Sequence, residues 1–581
     1  MKTRIAVAAI ALFPLGWIFN IGHWSLPGDA GSIAWSVGYG GEYLRRHGVF
    51  PVVLNTNAYV GMAFPIYYGF IFQPLAALAS VPLGGDLALR LVVVGSFVFE
   101  QFQVYATVLR IAGRSSIALA VTALTAFEIY PLTDFYQRGA IAEFVALAWL
   151  VSATCLWFRF LREPDPIERR RNLVWAALCF TLAAGTHPVY AVYGALFAVA
   201  GALVALWMRA ERRAVLLELA LAALAIASVL APWLYLVRFY PPTIVSIEPP
   251  IFVPGIDHAL FRLAPLPFDA RLLVASAAQL STPHLDTQIS IPLLIVVLTL
   301  AIGFSVGQRS ASGKVRLELA FAACCFAGAA ALYILSVNAR LMALAPFFLW
   351  SVQYVYRLVG FIDVLLFAAV CFLLLAFSRA RAELPLIAHR AIWFAVAIAF
   401  VSAGMKLAES AGSSDYKVPG TALFDDRSKL IDYPGVATSN YASNQGFRDE
   451  LPVDVGARIE ASFPVGSGAN FGQPEPVKVT LDGTRISAVT ADAIAFPWGR
   501  LAVDGRLLRP GEIFAVDAPL RNNVELLEAI VARTSLTVGF AVVPDPLWSA
   551  LRTLSLATLF AWIAVGIVLA LLPRLISRRR P

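Results

Sequence analysis

An aspartate, Asp29, stands just after the first apolar run of this chain, in "LPGDAGSIAW". A carboxylate so placed can take a proton from a hydroxyl as a general base. It can equally cap the helix that follows, since Asp is a favoured N-cap. Further along, "PLTDFYQRGAIAEF" carries Asp134, Arg138 and Glu143. An arginine there can hold a phosphate oxyanion in two-pronged fashion, or form a local ion pair with its neighbours. "AGTHPVY" adds His187, and "LWSVQYVYRLVGF" adds Gln353 and Arg357. Arg357 has the alternative of snorkelling to headgroups. Tyr67 and Tyr68, in "PIYYGFIF", are candidates for the mouth of a polar cavity or for an interfacial aromatic belt.

The elements that must position these residues are membrane helices. The 581-residue chain is 59% hydrophobic and 14% charged, against about 25% charged in ordinary soluble domains. Its repeated apolar runs approach the roughly 20 residues that cross a bilayer core. Ionisable groups at membrane depth cost about 2.5–3.5 kcal/mol even on insertion scales. Several at the same ends of the spans therefore point to a shared polar cavity. Glu100, in "FVFEQFQVY", is intramembrane and is expected to pair with a neighbouring helix.

The net charge of +8 is not a nucleic-acid signature, because Lys and Arg fall in short clusters between apolar runs. These clusters are Lys2/Arg4, Arg110/Arg114, Arg159 to Arg171, Arg209 to Arg213, Arg309 to Arg316, Arg379 to Arg390 and Arg574 to Arg580. Read by the positive-inside rule they mark cytoplasmic loops, giving about twelve spans with both termini cytoplasmic. That phase holds only if 64–83, with Pro65, Pro74 and Pro82, is a re-entrant or interfacial segment of the first outer loop (23–86). The start of the chain reads as an uncleaved span, not a signal peptide, because bulky Trp17, Phe19 and Trp24 follow its apolar part. The five cysteines all lie in apolar runs without metal-like spacing and read as packing residues.

One stretch breaks the pattern. Residues 406–546 turn polar and carry "VKVTLDGTRISAV" and "GRLAVDGRLLRPG", alternations around Asp-Gly pairs. The expected organisation is a transmembrane domain over 1–405, an extracytoplasmic β-sandwich-like domain over 406–546, and a final span with a basic cytoplasmic tail over 547–581. The expected fold class is a polytopic α-helical membrane protein of the cell (inner) membrane.

Five stretches, in order, are "GDAGSIAWSVGYGGEYLRRHGVFP", "GMAFPIYYGF", "DFYQRGAIAEFVALAWL", "VQYVYRLVGF" and "FPWGRLAVDGRLLRPGEI". With them the chain resembles the GT-C superfamily of membrane glycosyltransferases. Within that, it resembles the bacterial membrane family labelled "6-pyruvoyl-tetrahydropterin synthase-related", a label that implies no pterin chemistry. The resemblance implies transfer of a sugar from a polyprenyl-phosphate donor, drawn from the membrane lipid, to an envelope glycan or glycoprotein acceptor. It implies Asp29 as general base and Arg138 and Arg357 as donor-phosphate ligands. Tyr67, Tyr68, Asp134, Glu143, His187 and Gln353 would line the cavity. The second acid that many GT-C enzymes use with a metal has no counterpart in the first loop, so no metal ligand is assigned and a divalent cofactor has no support. Two alternatives remain: a secondary transporter, and a non-catalytic GT-C-fold scaffold of envelope glycan assembly.

Overall fold

The computed structural model describes residues 2–19, 30–48, 69–239, 289–307, 313–346, 355–412 and 544–577, with short stretches between 50 and 62, single residues at 349 and 352, and strands between 457 and 542. Asp29, Tyr67, Tyr68 and Gln353 lie outside the described residues.

The helices, in chain order, are α1 (Lys2–Leu12), α2 (Ala30–His47), α3 (Phe72–Leu83), α4 (Gly85–Ala112), α5 (Ser115–Ala126), α6 (Ile129–Thr133), α7 (Ile141–Arg162), α8 (Pro166–Thr186), α9 (Pro188–Met208), α10 (Arg212–Phe239), α11 (Ile291–Gly307), α12 (Gly313–Val337), α13 (Ala339–Leu344), α14 (Leu358–Ala380), α15 (Leu386–Gly412) and α16 (Pro546–Ser577). Among the described residues, nine helical segments are long and apolar enough to cross a membrane. The chain is a multi-pass helical membrane protein. At its centre stands α14, with 89% of its apolar window buried, beside α7 with 83%. α10, at 17%, lies at the periphery and turns Leu217, Leu221 and Leu224 outward.

Local chemistry sets the helix ends. Pro166 and Pro188 occupy first-turn positions where a missing N–H costs nothing. Asp165 caps α8 by accepting from the Ile167 N–H, and His187 caps α9 by accepting from the Val189 N–H. Gly113, at φ +67°, closes α4 in the left-handed region that favours glycine.

The basic turns gather at one end of the bundle. Arg209 donates to the Glu163 carbonyl at 2.8 Å, Arg110 lies 3.7 Å from the Glu163 carboxylate, and Arg162 reaches Ser378. The opposite ends of the same helices carry Asp134, Glu143, His187 and Arg357. Members of the clusters at 110–114, 159–171 and 209–213 thus meet in space, beside the end of α14.

α3 has 12 residues, so it spans about 18 Å, short of the roughly 30 Å hydrocarbon core. It packs on α2 through small residues: a Cβ on Gly41 would fall 1.8 Å from Ser80 Oγ, and one on Gly40 would sit 3.1 Å from Ala77 Cβ. Close approach of this kind is how helices associate without a hydrophobic driving force between them. Ser36 Oγ donates to Gln73 Oε1 at 2.9 Å across the same seam. The glycines of "SVGYGGEYL" are therefore packing positions.

Residues 457–542 contribute β3 (Ala457–Ala461), β4 (Val477–Thr480), β5 (Ile486–Ile494), β6 (Gly499–Val503), β7 (Arg506–Leu507), β8 (Ile513–Val516), β9 (Leu526–Arg533) and β10 (Ser535–Val542). β1 (Leu54–Asn55) and β2 (Val60–Met62) come from the segment before α3. One sheet runs β1-β2-β5-β9-β8 with β3 also on β5, and the other runs β4-β10-β6-β7. β6 and β7 pair antiparallel with Val503 opposite Arg506. β4 and β5, which flank Asp482-Gly483, enter different sheets and do not pair. The parallel bridge Val60 to Ala493 ties the first long connection to this stretch.

Candidate functional site

The chain from α6 to α7 builds the site. α6 ends at Thr133, and Asp134–Arg138 form a single turn of π-helix closed by Gly139 at φ +65°. π turns are rare and concentrate at functional sites. This one turns Asp134 and Arg138 toward each other, and an Arg138 Nη1–H donates to Asp134 Oδ1. Five residues on, Glu143 stands in the first turn of α7. Arg138 Nη2 donates to Glu143 Oε2 at 3.2 Å.

The other half arrives from far along the chain. A 3₁₀ turn, Val355–Arg357, leads into α14. From it Arg357 Nε comes within 3.3 Å of the same Glu143 Oε2, while Arg357 Nη1 donates to the Val352 carbonyl at 3.3 Å. Tyr130 OH donates to Glu143 Oε1 at 2.6 Å. The Arg138 guanidinium lies over the Tyr356 ring at 4.5 Å, a favourable cation–π position. Gly360 makes room, since a Cβ there would come 3.2 Å from Tyr130 Cε1 and 3.3 Å from Tyr190 OH.

Both acids are buried, and the two arginine side chains are only 9% and 10% exposed. The formal charges of Asp134, Glu143, Arg138 and Arg357 cancel. A buried pair is retained at this cost only when its geometry and hydrogen bonds are good, and here each member has at least one partner. Asp134 Oδ2 and Tyr190 OH are among the buried side-chain atoms that have no hydrogen-bond partner among the described residues. An acceptor and a hydroxyl are thus left facing the site, beside arginines that each carry five N–H donors.

His187 sits next to this network, with its ring edge-on to Tyr190 at 5.9 Å. Its Nδ1 accepts from the Val189 N–H at 3.3 Å, which leaves the proton of a neutral ring on Nε2. Burial, then the Arg357 charge, pushes its pKa down to about 3. The histidine is first a helix cap and second a neutral wall of the site.

The structure therefore brings together Asp134, Arg138, Glu143, His187 and Arg357. α2, which begins one residue after Asp29, touches α7, the helix of Glu143. Glu100 is buried in α4, and no ion pair reaches it among the described residues. Tyr130, Tyr190, Tyr356 and Gly360 are members that sequence reasoning passed over. Their signal was weak, because tyrosine near a span end ordinarily reads as interfacial belt. Among the described residues no group of three or more His, Cys, Asp or Glu is arranged to hold a metal ion.

From the polar cluster an aromatic column leads into the bundle. Phe361 packs against Tyr190, Tyr193 and Phe197 at centroid distances of 4.9, 5.1 and 5.7 Å. Phe197 then lines a cavity of about 340 Å³ between α7, α8, α9, α10 and α14, whose walls include Leu150, Trp157, Phe180 and Phe372. Leu150 is two turns along α7 from Glu143, about 10 Å at 1.5 Å per residue. No protein-family model, no curated protein and no solved structure matches the chain, so its likeness to the GT-C superfamily stands on the quoted motifs alone.

Proposed function

We propose that the protein is a GT-C-type glycosyltransferase that moves a sugar from a polyprenyl-phosphate donor to an envelope glycan or protein acceptor at the outer face of the inner membrane. The observation that carries this reading is the vertical order of the bundle: buried arginines at one end, an aromatic column, then an apolar cavity. That order suits an amphiphile with a phosphate head and a hydrocarbon tail. The acceptor oxygen attacks the anomeric carbon and the carbon–oxygen bond to phosphate breaks. Polyprenyl phosphate leaves with the electron pair, and Asp29 takes the hydroxyl proton. Arg138 and Arg357 stabilise the charge that grows on the leaving phosphate, where low dielectric makes each contact stronger.

The proposed topology has both termini in the cytoplasm and about twelve spans, consistent with the charge phase. The nine long apolar segments are joined in it by α1 with its 3₁₀ extension to Phe19, by α8 and by α11. Residues 406–546 lie outside the membrane as a β-sandwich-like domain that presents an acceptor-binding surface. The two sheets and the bridge from β2 to β5 support that placement.

A transporter is the second reading, favoured by Glu100, Glu128 and Asp363, which are buried in or beside spans; such acids mark ion or proton paths by default. Transfer from a defined polyprenyl-phosphate sugar by the purified protein separates the readings, because neither a carrier nor a scaffold turns the donor over. In that assay Asp29→Asn should lower the rate about 10²–10⁴-fold while donor affinity is kept. Asn caps helices about as well as Asp, so near-normal turnover would remove Asp29 from the chemistry.

A further inference from the structure

At the opposite end of the bundle, α4 and α7 enclose a second cavity of about 270 Å³, lined among others by Thr107, Arg110, Phe158, Arg159, Arg162 and Glu163. The arginines here are held differently from those of the candidate site. Arg159 Nε donates to Thr107 Oγ1 at 2.8 Å, and its Nη2 donates to the Gln103 carbonyl at 2.8 Å. Arg162 Nη1 donates to the Ile111 carbonyl at 2.9 Å, and its Nη2 reaches Ser378 Oγ at 3.4 Å. All of these acceptors are neutral. Neither Arg159 nor Arg162 makes an ion pair among the described residues. Arg110, half-exposed, has only Glu163 at 3.7 Å.

Three guanidinium groups thus face one carboxylate across this cavity. The surplus is local. Arg169 pairs with Glu211 and Glu218, Arg171 with Glu168, and Arg379 with Glu318, all at the same end of the bundle. Acids were available to that end, yet among the described residues Glu163 is the one carboxylate that lines this pocket. The bonds to Thr107 and the Gln103 carbonyl fix the Arg159 fork, and Nη1 has no hydrogen-bond partner among the described residues. Depth fits as well. α7 has 22 residues, about 33 Å of helix, so the arginines of its last turn reach the headgroup layer when its first turn lies at the other face.

We propose that this cavity is a phosphate-binding site, with Arg110, Arg159 and Arg162 as its cationic ligands and the phosphate of an anionic phospholipid or free phosphate as its occupant. Planar guanidinium forks match phosphate oxygens; the single charge of a phosphodiester offsets part of the basic excess among the lining residues, and free phosphate offsets more of it. Phe158 and Ile111 form an apolar flank beside the arginines. Glu163 opposes the ligand and weakens its hold.

The test uses the full chain purified in detergent. Native mass spectrometry titrates dioleoylphosphatidylglycerol against dioleoylphosphatidylcholine, and calorimetry titrates inorganic phosphate. Arg110→Gln is the informative variant, because the side chain is half-exposed and folding does not depend on it. Glu163→Gln tests the opposite sign. Phosphatidylglycerol should bind at least about tenfold more tightly than phosphatidylcholine. Arg110→Gln should weaken it about tenfold, the scale of one charge-assisted hydrogen bond, and Glu163→Gln should tighten it. The same order of variants with inorganic phosphate, and no preference between the lipids, assigns the site to free phosphate and excludes the lipid. Affinities for both ligands that do not change in either variant overturn the proposal.

Discussion

Two arginine clusters stand at opposite ends of the same helices, and they differ in what their charges meet. At one end Arg138 and Arg357 converge on Glu143, with Asp134 completing a neutral set. At the other, Arg159 and Arg162 spend N–H groups on hydroxyls and carbonyls, and among the described residues Glu163 is the one carboxylate lining their cavity. Arginine content alone would treat the two alike. The difference teaches that an anion site is defined by the carboxylates that are missing as much as by the guanidinium groups present. The neutral cluster is built to hold its shape, so a donor phosphate there must share N–H donors already in use. The basic cavity holds its arginines by neutral bonds and keeps their charge for a ligand.

The contrast breaks most directly at the neutral cluster. Replacing Arg138 or Arg357 with Ala leaves a buried carboxylate uncompensated, which should cost about 3–5 kcal/mol and show as a large drop in thermal stability in detergent. Arg138→Leu combined with Asp134→Leu removes a whole pair and should recover much of that loss. If Arg138→Ala alone unfolds no more easily than the parent, the network is not structural and the comparison fails.

The next effect is steric. Gly185, two residues before His187, would place a Cβ 2.3 Å from Ile71 Cδ1 and 2.8 Å from Ile71 Cβ. Ile71 N also donates to the Gly185 carbonyl at 3.0 Å. Gly185→Ala should therefore cost about 1–3 kcal/mol as overpacking and loosen the segment before α3, without touching any charge. A change in proteolysis of residues 48–70 reports the loosening. Unaltered proteolysis and stability would mean that charge alone holds this end.

Acid gives a smaller effect. His187 titrates near 3 when folded and near 6.5 when unfolded. A depressed folded value contributes stability that is complete above about 6.5 and lost as pH falls toward 3, because the unfolded chain binds the proton first. Going from pH 8 to pH 6 should cost about 1 kcal/mol from this group. His187→Asn keeps a capping side chain and should flatten the slope; an unchanged slope would assign the pH response to other groups. Smallest of all, Arg110→Gln at the basic cavity should change stability by only about 0–1 kcal/mol, since its one ion pair is long and exposed. A loss comparable with that of Arg138→Ala would erase the distinction between the two ends.

Much of this was legible in the sequence for local reasons. Asp134, Arg138 and Glu143 lie within ten residues, so their spacing already offers an ion pair. The basic clusters sort the helix ends because Lys and Arg avoid the hydrocarbon core. Pro65, Pro74 and Pro82 argue against a straight crossing at 64–83; α3, the helix described within that stretch, has 12 residues, and residues 64–68 lie outside the described residues. No ion pair to Glu100 appears among the described residues; Arg159, the α7 cation that reaches α4, bonds Thr107 and the Gln103 carbonyl instead. The glycines of "SVGYGGEYL" fall in the expected first outer loop (23–86), where nothing local marks Gly40 and Gly41 as the seam between α2 and α3.

By itself the sequence determined a multi-pass helical protein, the grouping of its span ends, and the residue types that meet at each end. Period and charge carry that information, since each helix must satisfy its own backbone bonds and place its own charges at a bilayer surface. Only the tertiary structure decided that Arg357 joins Glu143 across more than two hundred residues, that Tyr130 and Tyr190 close over Gly360, and that Arg110, Arg159 and Arg162 share a cavity with a single lining carboxylate, Glu163. Charge balance within a pocket is a sum over helices packed together, and no single segment of the chain contains it.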